Sequence, residues 1–255
     1  MKYPLACLLL CLTLAACEEE TLTPSVKDTL ETYYPLELNR PAYYTVDSIV
    51  LVPTISGIVY DTATLEARET LLDSYVGADG KTVYRGERWE RPDADARWTF
   101  KQTFTVTADG GAYRRSEDNL TFTKLVAPLR SGLTWDGNAA FSTDRDVTVG
   151  PEFLDVYNGW EYRYGNTEET LTLPTGLTLD SVVTVEQAAV ENLIELRTAY
   201  ERYAPGLGLV ERYIDARHTQ CVYCCDRNTD ACLDLPWNEK AEKGMILHQT
   251  LVRRE

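Results

Sequence analysis

The densest chemical potential in the chain lies near its C-terminal end. Cys221, Cys224, Cys225 and Cys232 fall within twelve positions. Four thiols so close can form two disulfides or a metal site. Joining Cys224 to Cys225 would close a strained ring. That leaves Cys221–Cys224 with Cys225–Cys232, the expected pairing, or Cys221–Cys225 with Cys224–Cys232. Loops this short gain only about 2–3 kcal/mol each, enough to pin a local loop. Zinc is the other reading, with four thiolates and His218 nearby, but adjacent ligands at Cys224 and Cys225 suit a tetrahedral site poorly. Haem attachment needs His after the second Cys of Cys-x-x-Cys, and Cys225 stands there.

Other constellations are weaker. Asp226, Asn228, Asp230 and Asp234 place oxygen donors at the spacing that opens a calcium-binding EF-hand loop. Ala231 stands where that loop wants Gly, and Trp237 where it wants a bidentate Glu. The plain reading is a polar turn held by disulfides, with no cofactor; weak calcium binding is the alternative. His218 and His248 are the only histidines, and neither sits in a catalytic motif. Carboxylates are too numerous for any pair to mark a hydrolase, although a carboxylate-only glycosidase stays open. Tyr43, Tyr44, Trp89, Trp98, Trp135, Tyr157, Trp160, Tyr162 and Tyr164 are candidates for an aromatic binding surface or for core packing.

The compartment decides how the thiols are read, and the N-terminal residues address it. Lys2 is followed by an apolar run, Leu5 to Leu14, too short to span a bilayer. Leu14-Ala15-Ala16-Cys17 then resembles the bacterial lipobox. That resemblance implies diacylglycerol on the Cys17 thiol, cleavage before it and acylation of the new amine. Acyl chains contribute roughly 0.8 kcal/mol per buried CH₂, so several hold stably where one does not. Glu18-Glu19-Glu20 resembles the acidic signal that sends Bacteroidota lipoproteins to the outer face of the outer membrane; the periplasmic face is the alternative. The expected organisation is a signal peptide over 1–16, a lipid-anchored tether over 17–40 with one short helical turn, and a β-rich domain over 41–255. An exported protein favours disulfides over zinc.

The formal net charge of −15 argues against nucleic acid, which needs a cationic footprint. Turn signals recur at short intervals among Thr- and Tyr-rich runs, the pattern of many short antiparallel strands. Trp98, Phe100, Phe104 and Val106 alternate with Thr and Lys, predicting one buried and one wet face. Asp109-Gly110 and Asp79-Gly80 predict hairpin turns. Between Glu186 and Tyr203 the spacing of Ala189, Leu193, Leu196, Tyr200 and Tyr203 favours a helix.

Several stretches are similar to an uncharacterised group of Bacteroidota envelope lipoproteins: Tyr34-Pro35-Leu36, Tyr84-Arg85-Gly86-Glu87-Arg88, Lys124-Leu125-Val126-Ala127-Pro128-Leu129 and Gly132-Leu133-Thr134-Trp135-Asp136-Gly137-Asn138. The last, Tyr203-Ala204-Pro205-Gly206-Leu207-Gly208, resembles a late strand pair of β-rich families that include half-barrel lipid carriers. The resemblance implies a mostly β fold: a single antiparallel domain, an open or half barrel, with a short disulfide-pinned C-terminal loop. It also implies strand for 186–203. The functional expectation is a non-catalytic envelope lipoprotein that binds an unknown protein, glycan or lipid or serves a structural role. A hydrophobic-ligand carrier and a hydrolase are the alternatives. Cys17→Ala should move the protein from the membrane to the soluble fraction; unchanged partitioning would contradict the anchor.

Overall fold

The computed structural model describes residues 29–109, 111–224 and 228–255, so Cys17 and the other residues of the anchor lie outside the described residues. The fold is mostly β, 58% strand and 6% helix. A helical turn, α1 (Leu30–Tyr33), leads into β1 (Ala42–Thr54), β2 (Gly57–Val76), β3 (Thr82–Arg91), β4 (Thr99–Ala108), β5 (Ala112–Glu117) and β6 (Leu120–Val126). Short strands follow: β7 (Thr134–Trp135), the pair β8 (Val147–Val149) and β9 (Glu152–Leu154), β10 (Tyr162–Tyr164) and β11 (Glu169–Thr172). Long strands then return as β12 (Thr178–Glu191), β13 (Glu195–Ala204), β14 (Gly208–His218) and β15 (Lys243–Arg254). Between the last two lie α2 (Thr229–Leu233) and α3 (Trp237–Lys240).

All but β8 and β9 share one antiparallel sheet, ordered β6-β5-β4-β3-β2-β1-β15-β14-β13-β12-β10-β7, with β11 beside β12. The sheet curls into a nearly closed barrel with one seam. Bulges, among them those at Leu71/Asp73, Arg88/Trp89 and Glu186/Ala188, add the local twist that closure needs. The seam lies between β6 and β7, where hydrogen bonds replace a regular ladder. Thr123 N donates to Gly137 O (2.8 Å), and the Trp135 indole donates to Thr123 O (2.9 Å). The Tyr164 hydroxyl accepts from Val126 N (2.9 Å) and donates to Val126 O (2.7 Å), standing in for a neighbouring strand.

The strands beside both predicted turns pair antiparallel, β2 with β3 and β4 with β5, and Gly110 of the second turn lies outside the described residues. The segment 186–203 is strand, as the resemblance implied and the helical spacing did not: it is the end of β12, a turn at 192–194, and β13. The alternation from Trp98 to Val106 holds only in part. Phe104 and Val106 are buried, but Phe100 is 47% exposed. The ladder steps from Arg88↔Gln102 to Trp89↔Phe100, so Lys101 is an extra residue in β4. One extra residue inverts the phase, and Phe100 and Trp98 emerge on the outer face.

The predicted helical turn before Pro41 exists as α1, and that segment joins the packed body. Leu30 and Tyr33 are buried, Tyr34 stacks on Tyr113 (5.2 Å), and Tyr33 donates to Ser181 O. This end of the barrel is thus stoppered by α1. The other end is filled by β8 and β9, whose Val149 and Leu154 pack with Val156, Val50, Ile214 and Met245. The seam generates a test. Tyr164→Phe would leave the Val126 N–H and C=O without their partner and should cost about 1–3 kcal/mol. Urea denaturation measures this, and a change below about 0.5 kcal/mol would show that the hydroxyl does not hold the seam.

Candidate functional site

Between the two stoppers the lumen is charged. On β2 the inward series reads Leu65, Ala67, Glu69, Leu71, and on β14 it reads Val210, Arg212, Ile214, Ala216. The polar members of these series meet in the middle. Glu69 accepts from Arg88 (2.9 Å) and from both terminal nitrogens of Arg115 (2.7 and 3.0 Å). Arg115 also bonds Glu117 (2.8 Å), which lies 3.7 Å from Arg212. Arg212 and Lys124 each reach Glu201 Oε1 at 2.8 Å, and the Tyr203 hydroxyl donates to its Oε2 (2.6 Å). Arg88 further bonds Glu90 and Gln249. Four carboxylates (Glu69, Glu90, Glu117, Glu201) therefore meet four cations (Arg88, Arg115, Lys124, Arg212).

The electrostatics follow from this balance. Burial alone pushes the Glu69 carboxyl up, but Arg115 and Arg88 outweigh it and hold the group well below the usual carboxylate range. Burial likewise opposes ionisation of Glu201, and Lys124 and Arg212 overcome it, bringing the carboxyl down to about 2. Lys124 is drawn below its usual value by burial, only partly offset by Glu201. Phe104 lies across the Arg115 guanidinium (3.8 Å) and directly over Gly86. A Cβ at Gly86 would stand 2.4 Å from the ring, so the close approach requires glycine there.

The predicted aromatic surface divides. Tyr44, Trp135, Tyr157, Trp160, Tyr162 and Tyr164 face inward; Trp135 packs against Tyr164 (4.7 Å) and Tyr157 against Trp160 (5.0 Å). Tyr43, Trp89 and Trp98 lie on the outer face with Phe100. The two histidines do not share a site. His218 ends β14, half buried, its pKa lowered by burial and by Lys243. His248 sits on the outer face, Nε2 2.7 Å from Glu211 Oε1 and edge-on to Tyr213. Their ladder partners, Lys243 and Tyr213, place them five residues apart along the strands, about 17 Å. The Glu211 carboxylate is buried, accepting from Arg202 (2.7 Å) and the Tyr200 hydroxyl (3.3 Å), and His248 beside it faces the ring of Tyr213 and the hydroxyl of Thr250 (3.4 Å).

The cysteine loop departs from the expected pairing. Cys224 is bonded to Cys232, with Cα atoms 5.8 Å apart. Cys221–Cys224 and Cys225–Cys232 are therefore not the pairs; Cys221 is free and buried, and Cys225 lies outside the described residues. The reason is local. Asn228 caps α2 by accepting from Ala231 N, and the helical turn folds Cys232 back over Cys224. The sulfur of Cys221 lies within 4.8 Å of both others, but two of the three are consumed in the disulfide. Glu242 fixes the loop by accepting from Gln220 N and Tyr223 N, both at 2.7 Å. Of the calcium set, Asn228 serves as that cap, Asp230 lies in the first turn of α2, and Asp234 ends it; Asp226 lies outside the described residues.

No protein-family model matches the chain, and no curated protein matches it. Two solved structures align with it. One, from Bacteroides fragilis, is assigned as an exported protein with a YmcC-like fold; it is 12% identical over 88% of this chain and 99% of that one, with a TM-score of 0.43. The other, from Parabacteroides distasonis, is assigned as a lipoprotein; it is 10% identical over 88% of this chain and 98% of that one, with a TM-score of 0.39.

The lumen's charges give a test with a defined sign. Because the Glu201 carboxyl is depressed in the fold, its stabilisation is complete above its ordinary value of 4.5 and is lost as pH falls toward about 2. Melting temperature should drop across that window. Glu201→Gln leaves Lys124 and Arg212 buried without their carboxylate and should cost about 3–5 kcal/mol at neutral pH, with Lys124→Met in the same chain recovering part. A Gln variant within about 1 kcal/mol of the parent in urea would show the network to be energetically idle.

Proposed function

We propose that this chain is a lipid-anchored protein of the outer membrane that works without catalysis, as a binding or structural element whose outer face is its working surface. The observation that carries this reading is the filled lumen. A carrier of a hydrophobic ligand needs an apolar cavity, whereas the strands here point four ion-paired carboxylates inward. The cavity between α1 and the network measures about 60 Å³ and is bordered by Glu69, Arg115 and Arg254, a space for water and not for an acyl chain. Larger cavities, of about 490 Å³ beside Glu161, Arg163 and Glu186 and about 330 Å³ beside Glu31, Tyr84 and Tyr113, are lined by charged and hydroxyl groups as well as apolar ones.

The arrangement of the ends supports an anchored role. The chain enters at Thr29, beside the α1 stopper, while the cysteine loop and the β1–β2 turn lie at the opposite end. A thirteen-residue strand such as β1, tilted as in a barrel, separates those ends by on the order of 30–40 Å. Lipid on Cys17 would hold the α1 end toward the membrane and present the cysteine loop away from it. Against the hydrolase alternative stands the engagement of Glu211, which is ion-paired with Arg202 and accepts from Tyr200 as well as facing His248. The full chain assayed on a panel of esters and glycosides should show no turnover. Turnover that disappears in Glu211→Gln would overturn the non-catalytic reading.

A further inference from the structure

The outer face carries a row that the fold does not need for closure. In the aligned ladders Arg253 stands opposite Tyr43, Tyr43 opposite Arg68, Arg68 opposite Trp89, and Trp89 opposite Phe100. These residues come from five consecutive strands, β15, β1, β2, β3 and β4. Arginine and aromatic rings thus alternate as far as Trp89, and Phe100 ends a line that crosses four strand spacings, roughly 19 Å. Trp98, turned outward by the bulge at Lys101, closes over Arg68 from above the row. The Arg68 guanidinium lies 5.8 Å from the Trp89 ring and 5.1 Å from the Trp98 ring. Arg253 lies 3.8 Å from the Tyr43 ring.

Arg68 distinguishes this row from a stiffening ladder. Arg253 is paired with Glu255, and Arg91, beside Trp98, with Glu66. Among the described residues Arg68 has no carboxylate within ion-pair distance, in a chain with 40 acidic residues. Its charge is held by two indole faces alone. Stacking uses the flat of a guanidinium and leaves its in-plane N–H groups free for a carboxylate, which they meet two at a time. The partner these groups fit has carboxylates spaced along a chain and flat C–H surfaces between them, to lie on Tyr43, Trp89 and Phe100. Arg68 and Arg253 stand two strands apart, about 10 Å. The Arg253–Glu255 pair is exposed on both sides and so weak enough for a ligand carboxylate to displace Glu255, which lets one unit without charge fit between two that carry it. An extended chain fits an open sheet face better than a compact ligand, which would need a pocket.

We propose that the row Arg253–Tyr43–Arg68–Trp89–Phe100 binds an acidic polysaccharide in which uronate sugars alternate with neutral ones. The inference rests on the reading of the outer face as the working surface and names its ligand class. Glu66, Glu87 and Glu255 border the row and restrict it: they accept from sugar hydroxyls and repel a chain that is charged at every unit. Glu87 already accepts from the Trp89 indole (2.9 Å).

Calorimetry of the full chain in detergent with hyaluronan oligosaccharides, whose uronates alternate with neutral sugars, tests this. Saturable binding is expected, weakening with salt and lost when the carboxyls are methyl-esterified. Arg68→Gln should weaken it about tenfold or more, and Trp98→Ala should also weaken it, with the melting temperature of each variant recorded alongside. Absence of binding at millimolar oligosaccharide, or binding unchanged in Arg68→Gln, would overturn the proposal. Equal binding of poly-glutamate would assign the row to an acidic peptide and overturn the glycan class. Either failure leaves the non-catalytic reading standing, because turnover on esters or glycosides is measured separately.

Discussion

The paired charges around Glu201 and Glu69 set the terms for the rest of the molecule. A carboxylate sealed inside a barrel is tolerated only where cations and hydrogen-bond donors meet it at close range. Glu201 has three such partners, Lys124, Arg212 and the Tyr203 hydroxyl, from β6, β14 and β13. Those strands stand on both sides of the seam, so the pairing is possible only when the sheet has curled almost shut. Replacing such a network by apolar side chains can raise stability, so its value here is specificity: an open or slipped sheet would break Lys124–Glu201 and Arg212–Glu117, the pairs that span the seam.

This organisation moves function outward. A barrel that spends its interior on ion pairs offers little volume to a ligand, and what it has is a rigid curved wall. The inner face is specified by the charge pairs and by the aromatic cluster of Trp135, Tyr162 and Tyr164. The outer face is free to vary without disturbing them. The bulge at Lys101 illustrates the coupling: it contributes to the curvature and, by inverting the phase of β4, delivers Trp98 and Phe100 to the outside.

The sequence reveals some of this and hides the rest for physical reasons. Period-two alternation and Asp-Gly turns marked the hairpins, because both depend on neighbouring residues alone. Phe100 was misplaced because a bulge is a property of two paired strands, and nothing near Lys101 announces it. Glu186 to Tyr203 looked helical because a two-residue period interrupted by a turn mimics a longer one. The lumen network went unseen, although it left a trace: Glu69 stands between Ala67 and Leu71 in an otherwise apolar phase. Its partners Arg115 and Arg88 lie 46 and 19 positions away, beyond any local pattern. The cysteine pairing turned on the helical turn capped by Asn228, since both pairings close loops of similar length.

Native mass spectrometry of the full chain, released from its membrane in mild detergent, addresses the filled lumen most directly. A solid, charge-filled interior predicts a single mass, polypeptide plus covalent anchor, with no co-purifying apolar molecule. A bound lipid or other apolar ligand, retained at one per chain and lost on unfolding, would contradict the account.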